Sequence, residues 1–159
     1  ASARLLSAQG ERTIPLGDLY TGDGAKPLAM KPEEILIGIE VPALSEDTRT
    51  LYYKYRIRRA VDFPIASLAG MFEMDRQSKV CRRARVVIGS VGTRPREIKE
   101  IGELLEGESL DGTIIEKASE LARKAAKPVA NASGSPGHRK WMIKIFVKKA
   151  LEAARGNSA

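Results

Sequence analysis

Apolar positions recur along this chain with two different periods. Up to residue 88 they fall in strand-like runs, and from residue 95 they take helical spacing. Ala3-Arg4-Leu5-Leu6-Ser7-Ala8, then Gln9-Gly10-Glu11-Arg12, then Thr13-Ile14-Pro15-Leu16 read as strand, turn and short strand. Pro15 suits only an edge or terminal position. Two strands alone cannot bury an apolar face, so this hairpin calls for a larger sheet whose source is not evident in the pattern. Glycine-rich Thr21-Gly22-Asp23-Gly24-Ala25-Lys26 reads as an ordinary loop: the GxxxxGK-Ser/Thr spacing of a phosphate-binding loop is absent, and no strong strand precedes it. Glu34-Ile35-Leu36-Ile37-Gly38-Ile39-Glu40-Val41-Pro42 is a β-branched run ended by proline, which predicts a buried strand.

The middle of the chain predicts an antiparallel meander. From Thr50 to Arg59, Leu51, Tyr53, Tyr55 and Ile57 alternate with Tyr52, Lys54, Arg56 and Arg58. Asp62-Phe63-Pro64 interrupts the run. Ile65 to Met74 is apolar and small enough for either a helix or a strand; the polar turn at Asp75–Lys79, leading straight into Cys81–Ile88, favours a strand. Gly89, Gly92 and Pro95 close the sheet region.

Three helices follow. Pro95-Arg96-Glu97 is expected to open the first, which carries Ile98, Ile101, Leu104 and Leu105 and stops at Gly107. Asp111 is the expected N-cap of the second, with Ile114, Ile115, Ala118, Leu121, Ala122 and Ala125 on one stripe, and Pro128 ends it. Asn131 to Gly137 is a loop of small residues in which Ser135 and Pro136 can start the third helix. Trp141, Met142, Ile145, Phe146, Val147, Ala150 and Leu151 make that helix apolar on more than one side, so it is expected to be central. Strands followed by helices give a segregated α+β fold: an antiparallel sheet of three or slightly more strands with three helices packed on one face.

Composition narrows the class without assigning chemistry. The 159 residues are 43% hydrophobic and 30% charged, enough for one compact domain, and no apolar run approaches the ~18 residues of a membrane span. A single cysteine, Cys81, forbids an intrachain disulfide and points to a reducing, cytoplasmic setting; with one histidine, His138, a zinc site is not expected. Cys81 lies in a basic segment that could lower its pKa, but an inert strand thiol is the plainer reading. His138 lacks an identifiable carboxylate partner and reads as structural or exposed. No metal-binding, paired-carboxylate or nucleophile-elbow spacing occurs, so no catalytic residue and no metal ligand is assigned.

Charge is the uneven feature. Lys and Arg total 27 against 20 Asp and Glu, a formal net charge of +7. Between Arg49 and Arg96 there are twelve cations, including Arg59, Arg76, Lys79, Arg82, Arg83, Arg85 and Arg94, against Asp62, Glu73 and Asp75 alone. A solvated face is the default for such a run. An anion-binding or subunit-facing surface is the main alternative, because guanidinium groups suit phosphates and carboxylates. A stand-alone basic module for nucleic acid or another polyanion is the weaker version, since no aromatic RNA-binding motif or recognition-helix pattern accompanies the charge.

The order of segments carries more information than any one of them. Gly10–Leu16, Leu19-Tyr20-Thr21-Gly22 and Lys31–Pro42 come first; Tyr53-Lys54-Tyr55 with Arg58-Arg59 and Asp62–Ala66 come next. Ile88-Gly89-Ser90-Val91-Gly92-Thr93-Arg94-Pro95 and Gly134-Ser135 with His138-Arg139-Lys140 complete the series. Together they resemble the FAD-binding medium subunit of molybdenum hydroxylases, the family of carbon monoxide dehydrogenase and xanthine dehydrogenase. His138 stands where that family usually has tyrosine, a departure expected to touch helix packing rather than flavin binding.

The resemblance implies a division of the chain. Residues 1–42 correspond to the C-terminal tail of a FAD-binding domain, 43–50 to a linker, 51–155 to the carbon monoxide dehydrogenase flavoprotein C-terminal domain, and 156–159 to a tail. The glycine-rich segments that hold the flavin pyrophosphate in the family lie upstream of Ala1 in this comparison, so a C-terminal fragment or one half of a split subunit is expected. In the family, FAD lies between two domains and relays electrons from iron-sulfur clusters, reduced at the molybdenum centre, to an acceptor. The resemblance therefore implies part of a flavin- and molybdenum-dependent oxidoreductase, inactive as an isolated chain. FAD would be shared with the upstream domain, while molybdopterin and 2Fe-2S clusters would sit only in partner subunits, a molybdopterin-binding large subunit and an iron-sulfur small subunit. Among site residues it implies that the backbone of Ile35, Leu36 and Ile37 approaches the flavin, that Lys54 lies near the isoalloxazine ring, and that Asp62 and its loop line the same crevice.

Overall fold

In a computed structural model, residues 1–58, 61–75, 77–131 and 134–156 are described; Arg59 and Arg76 of the basic run, part of the loop before the third helix and the last three residues lie outside these. Contacts divide the chain into Ala1–Ser45 and Glu46–Ala159.

In the first unit, β1 (Ser2–Ser7) and β2 (Gly10–Pro15) form the expected hairpin, paired from Ser2 with Pro15 to Ser7 with Gly10. Gly10 takes φ +125°, a backbone that L side chains rarely adopt. The strand the hairpin needs lies in the chain after all: β3 (Ile35–Glu40) pairs antiparallel with the other edge of β1, giving the order β2-β1-β3. The expectation that β3 is buried is overturned. Its Ile35, Leu36, Ile37 and Ile39 are all exposed, because the small core of Ala3, Leu5 and Leu19, with Ile14, Leu16, Tyr20 and Met30 against it, takes no side chain from β3. The entry to β3 is set by charge: Arg12 reaches Glu34 through two hydrogen bonds of 2.5 and 2.8 Å, and the Lys31 N–H donates to the same carboxylate. These donors hold the Glu34 carboxyl down at about 2.

The second unit holds β4 (Thr48–Tyr55), β5 (Ala66–Met74), β6 (Cys81–Gly89) and β7 (Arg96–Glu97), then α1 (Lys99–Leu105), α2 (Gly112–Ala125) and α3 (Pro136–Ala154). The sheet is antiparallel in the order β4-β5-β6-β7. Alternation decides its faces. Tyr53, Leu68 and Ile88 share one row, and with Phe72, Val86 and Cys81 they turn to the side on which the helices pack. Ile101 and Leu105 of α1, Ile115, Ala118 and Ala122 of α2, and Ile143, Phe146, Val147 and Leu151 of α3 close this core. Tyr53 stacks on Phe146 at 5.5 Å. The predicted N-cap of α2 forms, Asp111 accepting from the Ile114 N–H at 2.8 Å, and α3 starts where expected, with Ser135 accepting from the His138 N–H at 3.2 Å and Pro136 in the first turn.

Four details differ from expectation. β4 begins at Thr48 and ends at Tyr55, because the chain turns back there to pair Tyr55 with Ala66; Ile57 lies past the strand and is exposed. Arg96 and Glu97 do not start a helix. They pair with Ile88 and Val87 as a fourth strand, aided by the Arg85–Glu97 ion pair at 2.8 Å, and the helix starts at Lys99. α3 is central as expected, touching both α2 and the sheet, but Trp141 faces outward, with the Lys144 ammonium 5.4 Å from its ring centroid. Of the three cations read onto one face of β4, only Lys54 is on the strand.

One buried cation organises the loops at one end of this sheet. Arg139, in the first turn of α3, is 6% exposed. Its Nε donates to the Ile65 carbonyl at 3.0 Å, Nη1 to the Val129 carbonyl at 2.9 Å, and Nη2 to the Ser90 carbonyl. These carbonyls belong to the β4–β5 loop, the α2–α3 connection and the β6–β7 loop, so one guanidinium fork ties three loops to one helix.

Replacing Arg139 with methionine strands three carbonyls and is expected to cost about 3–5 kcal/mol in urea unfolding, with lysine recovering only part. A second prediction concerns α1 on β6. A Cβ at Gly102 would lie 2.9 Å from the backbone oxygen of Ala84, which cannot swing aside. Gly102→Ala should therefore destabilise by about 1–3 kcal/mol despite its better helix propensity, read as a lower melting temperature.

Candidate functional site

The helices cover one side of the β4-β5-β6 sheet, and on the other side the described residues of this unit form no second layer. On that open side Lys54, Ser67 and Gly89 form one row, and Tyr52, Ala69 and Val87 the next. The rows are low in the middle because Ser67, Ala69 and Gly89 have little or no side chain. A Cβ at Gly89 would stand 2.6 Å from the Ser67 hydroxyl. Tyr52, 63% exposed, and Lys54 rise at the β4 edge of this shallow platform. Lys54 forms no ion pair with a described residue.

The loop after β4 is shaped by Asp62. Its carboxylate accepts from the Arg58 N–H at 2.9 Å, the Arg58 guanidinium at 3.1 Å and the Phe63 N–H at 3.0 Å. These donors hold the carboxyl at about 2. The loop is pinned at its base, where the Ile65 N–H donates to the Tyr55 carbonyl at 2.7 Å and the Ile65 carbonyl accepts from Arg139. Its apolar side chains turn outward: Val61 is 95% and Phe63 88% exposed. His138 packs edge-on against Tyr55 at 5.5 Å, a packing role.

Lys54 and Asp62 thus belong to the second unit, on the strand and in the loop that follows it. Ile35, Leu36 and Ile37 belong to the first, on the exposed edge strand β3. The basic run is largely paired among the described residues. Arg58 meets Asp62, Arg82 meets Asp75, Arg85 meets Glu97, and Arg49 donates to the Ala153 carbonyl at 3.0 Å. Cys81 is buried, and burial pushes its thiol up to about 11, which makes it inert at neutral pH. Among the described residues no group of three or more His, Cys, Asp or Glu is placed to hold a metal, and no helix is long and apolar enough to cross a membrane.

Sequence reasoning passed over Arg139 as one cation beside His138. A signal was present: Arg139, Ile143, Phe146 and Ala150 stand at the i, i+4, i+7, i+11 spacing of the inward stripe of α3, so an arginine there had to be buried. The outward apolar loop at Val61 and Phe63 left no such signal.

Over 99% of this chain, the structure superposes on carbon monoxide dehydrogenase from Oligotropha carboxidovorans with a TM-score of 0.87 and 26% identity, covering 53% of that chain. The Hydrogenophaga pseudoflava carbon monoxide dehydrogenase matches with a TM-score of 0.87 at 22% identity, over 99% of this chain and 53% of that one. Quinoline 2-oxidoreductase from Pseudomonas putida 86 matches with a TM-score of 0.86 at 21% identity, over 98% and 52%. At the latter two identities the likeness is one of fold. The chain thus spans about half the length of each of these solved chains. Residues 51–154 match the sequence profile of the CO dehydrogenase flavoprotein C-terminal domain, which bears out the resemblance to the flavin-binding subunit of molybdenum hydroxylases. With some two thirds of its length inside that match, the chain belongs to the CO dehydrogenase flavoprotein C-terminal domain family.

Proposed function

We propose that this chain is the C-terminal part of the FAD-containing electron-transfer subunit of a molybdenum hydroxylase-type oxidoreductase. In this reading residues 1–42 complete an upstream FAD-binding domain, 43–50 link, and 51–155 form the C-terminal domain. The partners are that upstream domain, an iron-sulfur small subunit and a molybdopterin-binding large subunit, which keep the 2Fe-2S clusters and molybdopterin, in the cytoplasm. The observation that carries the reading is the family match across 51–154, which includes Lys54 and Asp62.

The residues present suit a flavin. A flat, partly apolar ring system needs an apolar edge with hydrogen-bonding groups and a cation near the atoms that gain negative charge. β3 offers exposed Ile35, Leu36 and Ile37 on an edge strand, whose outer backbone groups face no partner strand among the described residues. Lys54 offers an ammonium not committed to any described residue, above a platform of small side chains. When bound, the flavin would supply two-electron acceptance and onward electron transfer.

The role of each residue follows from its chemistry. The β3 backbone would orient the ring by hydrogen bonds, and its side chains would exclude water. Lys54 would stabilise negative charge on the reduced ring by direct Coulomb attraction, strengthened where water is excluded. Asp62 is an ion already held by three donors, so it would shape its loop at the crevice and exchange no proton at neutral pH.

With the upstream domain supplied and FAD bound, Lys54→Met should lower the two-electron flavin potential by about 30 mV or more, corresponding to ~1.4 kcal/mol, with Lys54→Arg close to the parent. An unchanged potential in Lys54→Met removes the lysine from the flavin. The Asp62 carboxyl should titrate by NMR at about 2. Its folded value lies below the ordinary one of about 3.9, so the Arg58 contact is complete above that pH and is lost as pH falls toward 2. Arg58→Gln should move the midpoint upward.

A further inference from the structure

Helix α3 has a second face that the core does not use. Its inward stripe runs from Arg139 through Ile143, Phe146 and Ala150 to Ala154. At 3.6 residues per turn, Trp141 and Ile145 fall on the opposite side, one turn apart, with Lys148 and Lys149 on the turn that follows. Trp141 is 52% exposed and is the only tryptophan in the chain. Beside it, Lys140 and Lys144 form an i, i+4 row on the α2 side, where the Lys144 ammonium meets Glu116 at 2.6 Å and Glu120 at 3.4 Å. The same ammonium lies 5.4 Å from the Trp141 ring centroid. An indole that faces solvent is thus braced from α2 through one lysine and two glutamates.

The charges around this indole decide what it can meet. Lys140, Lys148 and Lys149 form no ion pair with a described residue. Glu152 is the sole carboxylate that α3 itself carries. An aromatic anchor ringed by cations has the anatomy of a recognition surface, in which the centre supplies contact energy and the rim selects charge. Such a rim favours an anionic partner, and the anchor requires that partner to bring apolar side chains. Nucleic acid fits less well, because Glu116, Glu120 and Glu152 interrupt the basic surface and repel a backbone charged at every phosphate. Carboxylates spaced along a peptide can avoid them. A membrane fits less well too, since one tryptophan and one half-buried isoleucine give little apolar area to insert.

We propose that this face of α3 docks an acidic, amphipathic segment of a partner protein, with apolar side chains on Trp141 and Ile145 and carboxylates toward Lys140, Lys148 and Lys149. A helix laid along α3 suits the surface, because anchors one turn apart on one helix match anchors one turn apart on the other. The surface lies on the side of α3 turned away from the core, whereas Lys54 belongs to the open side of the sheet. It does not rest on the flavin reading, and either can fail while the other stands.

Because Trp141 is the sole tryptophan, intrinsic fluorescence of the full chain reads this face directly. The probe is a helical peptide with leucines at i, i+4, i+7 and i+11, glutamates flanking them and alanines elsewhere. Titration should give a saturable blue shift with a Kd of about 100 μM or tighter at ~50 mM salt. Binding should weaken about tenfold or more by ~500 mM salt, as screening removes the attraction of exposed charges. The same peptide with glutamine in place of glutamate should bind at least about tenfold more weakly. Lys148→Gln with Lys149→Gln, both at exposed positions, should weaken binding about tenfold, while Lys99→Gln on α1 leaves it unchanged. A shift that never saturates, or equal affinity for the glutamate and glutamine peptides, overturns the proposal. So does a larger shift, at equal concentration of charge, with duplex DNA or with vesicles of anionic lipid.

Discussion

The end of the sheet that carries Lys54 depends on one guanidinium. Arg139 enters the interior from the first turn of α3 and gives its N–H groups to carbonyls of three separate loops. A buried cation is tolerable only where its donors are satisfied, and a buried carbonyl only where it has a donor. Each requirement here meets the other. The consequence is positional: the base of the Asp62 loop, the turn after Gly89 and the entry to α3 are held at fixed mutual distances. Tyr55 and His138 pack beside this clamp, and Lys54 stands one residue before Tyr55 on the side facing away from it.

From that frame the two sides of the sheet acquire different chemistry. The helix-covered side is apolar but for buried Ser119 and Arg139. The open side is low at its Lys54 end, where Ser67, Ala69 and Gly89 are small, and farther along the same face stand Met71, Arg85, Glu73 and Arg83. In the loop after β4, Val61 and Phe63 are almost fully exposed apolar side chains. In the first unit β3 likewise presents apolar side chains outward from an edge strand. Exposed apolar strand edges favour association, and a protein keeps one at a cost unless something covers it.

Much of the architecture was legible because local signals agreed. The alternation of Leu51, Tyr53 and Tyr55, the polar turn at Asp75–Lys79, and the caps at Asp111 and Ser135 each specify one outcome, and the α+β fold follows from their order. Readings failed where a distant partner decides. Arg96 and Glu97 look like a helix start after Pro95, yet pairing with Ile88 and Val87 makes them a strand. β3 reads as buried from its β-branched run, and is exposed because its unit's core is too small to use it. The site was legible only through the family resemblance. Lys54 is locally one more strand lysine.

We propose that β3 in the first unit, and Lys54 and the Asp62 loop in the second, each serve the flavin. Hydrogen exchange on the chain, alone and assembled with a FAD-loaded upstream domain, addresses it directly. Slowed exchange is expected at the amides of Ile35, Ile37, Lys54, Asp62 and Phe63, with loss of that protection when the flavin is removed. Protection confined to other surfaces, or the same with and without flavin, would contradict it.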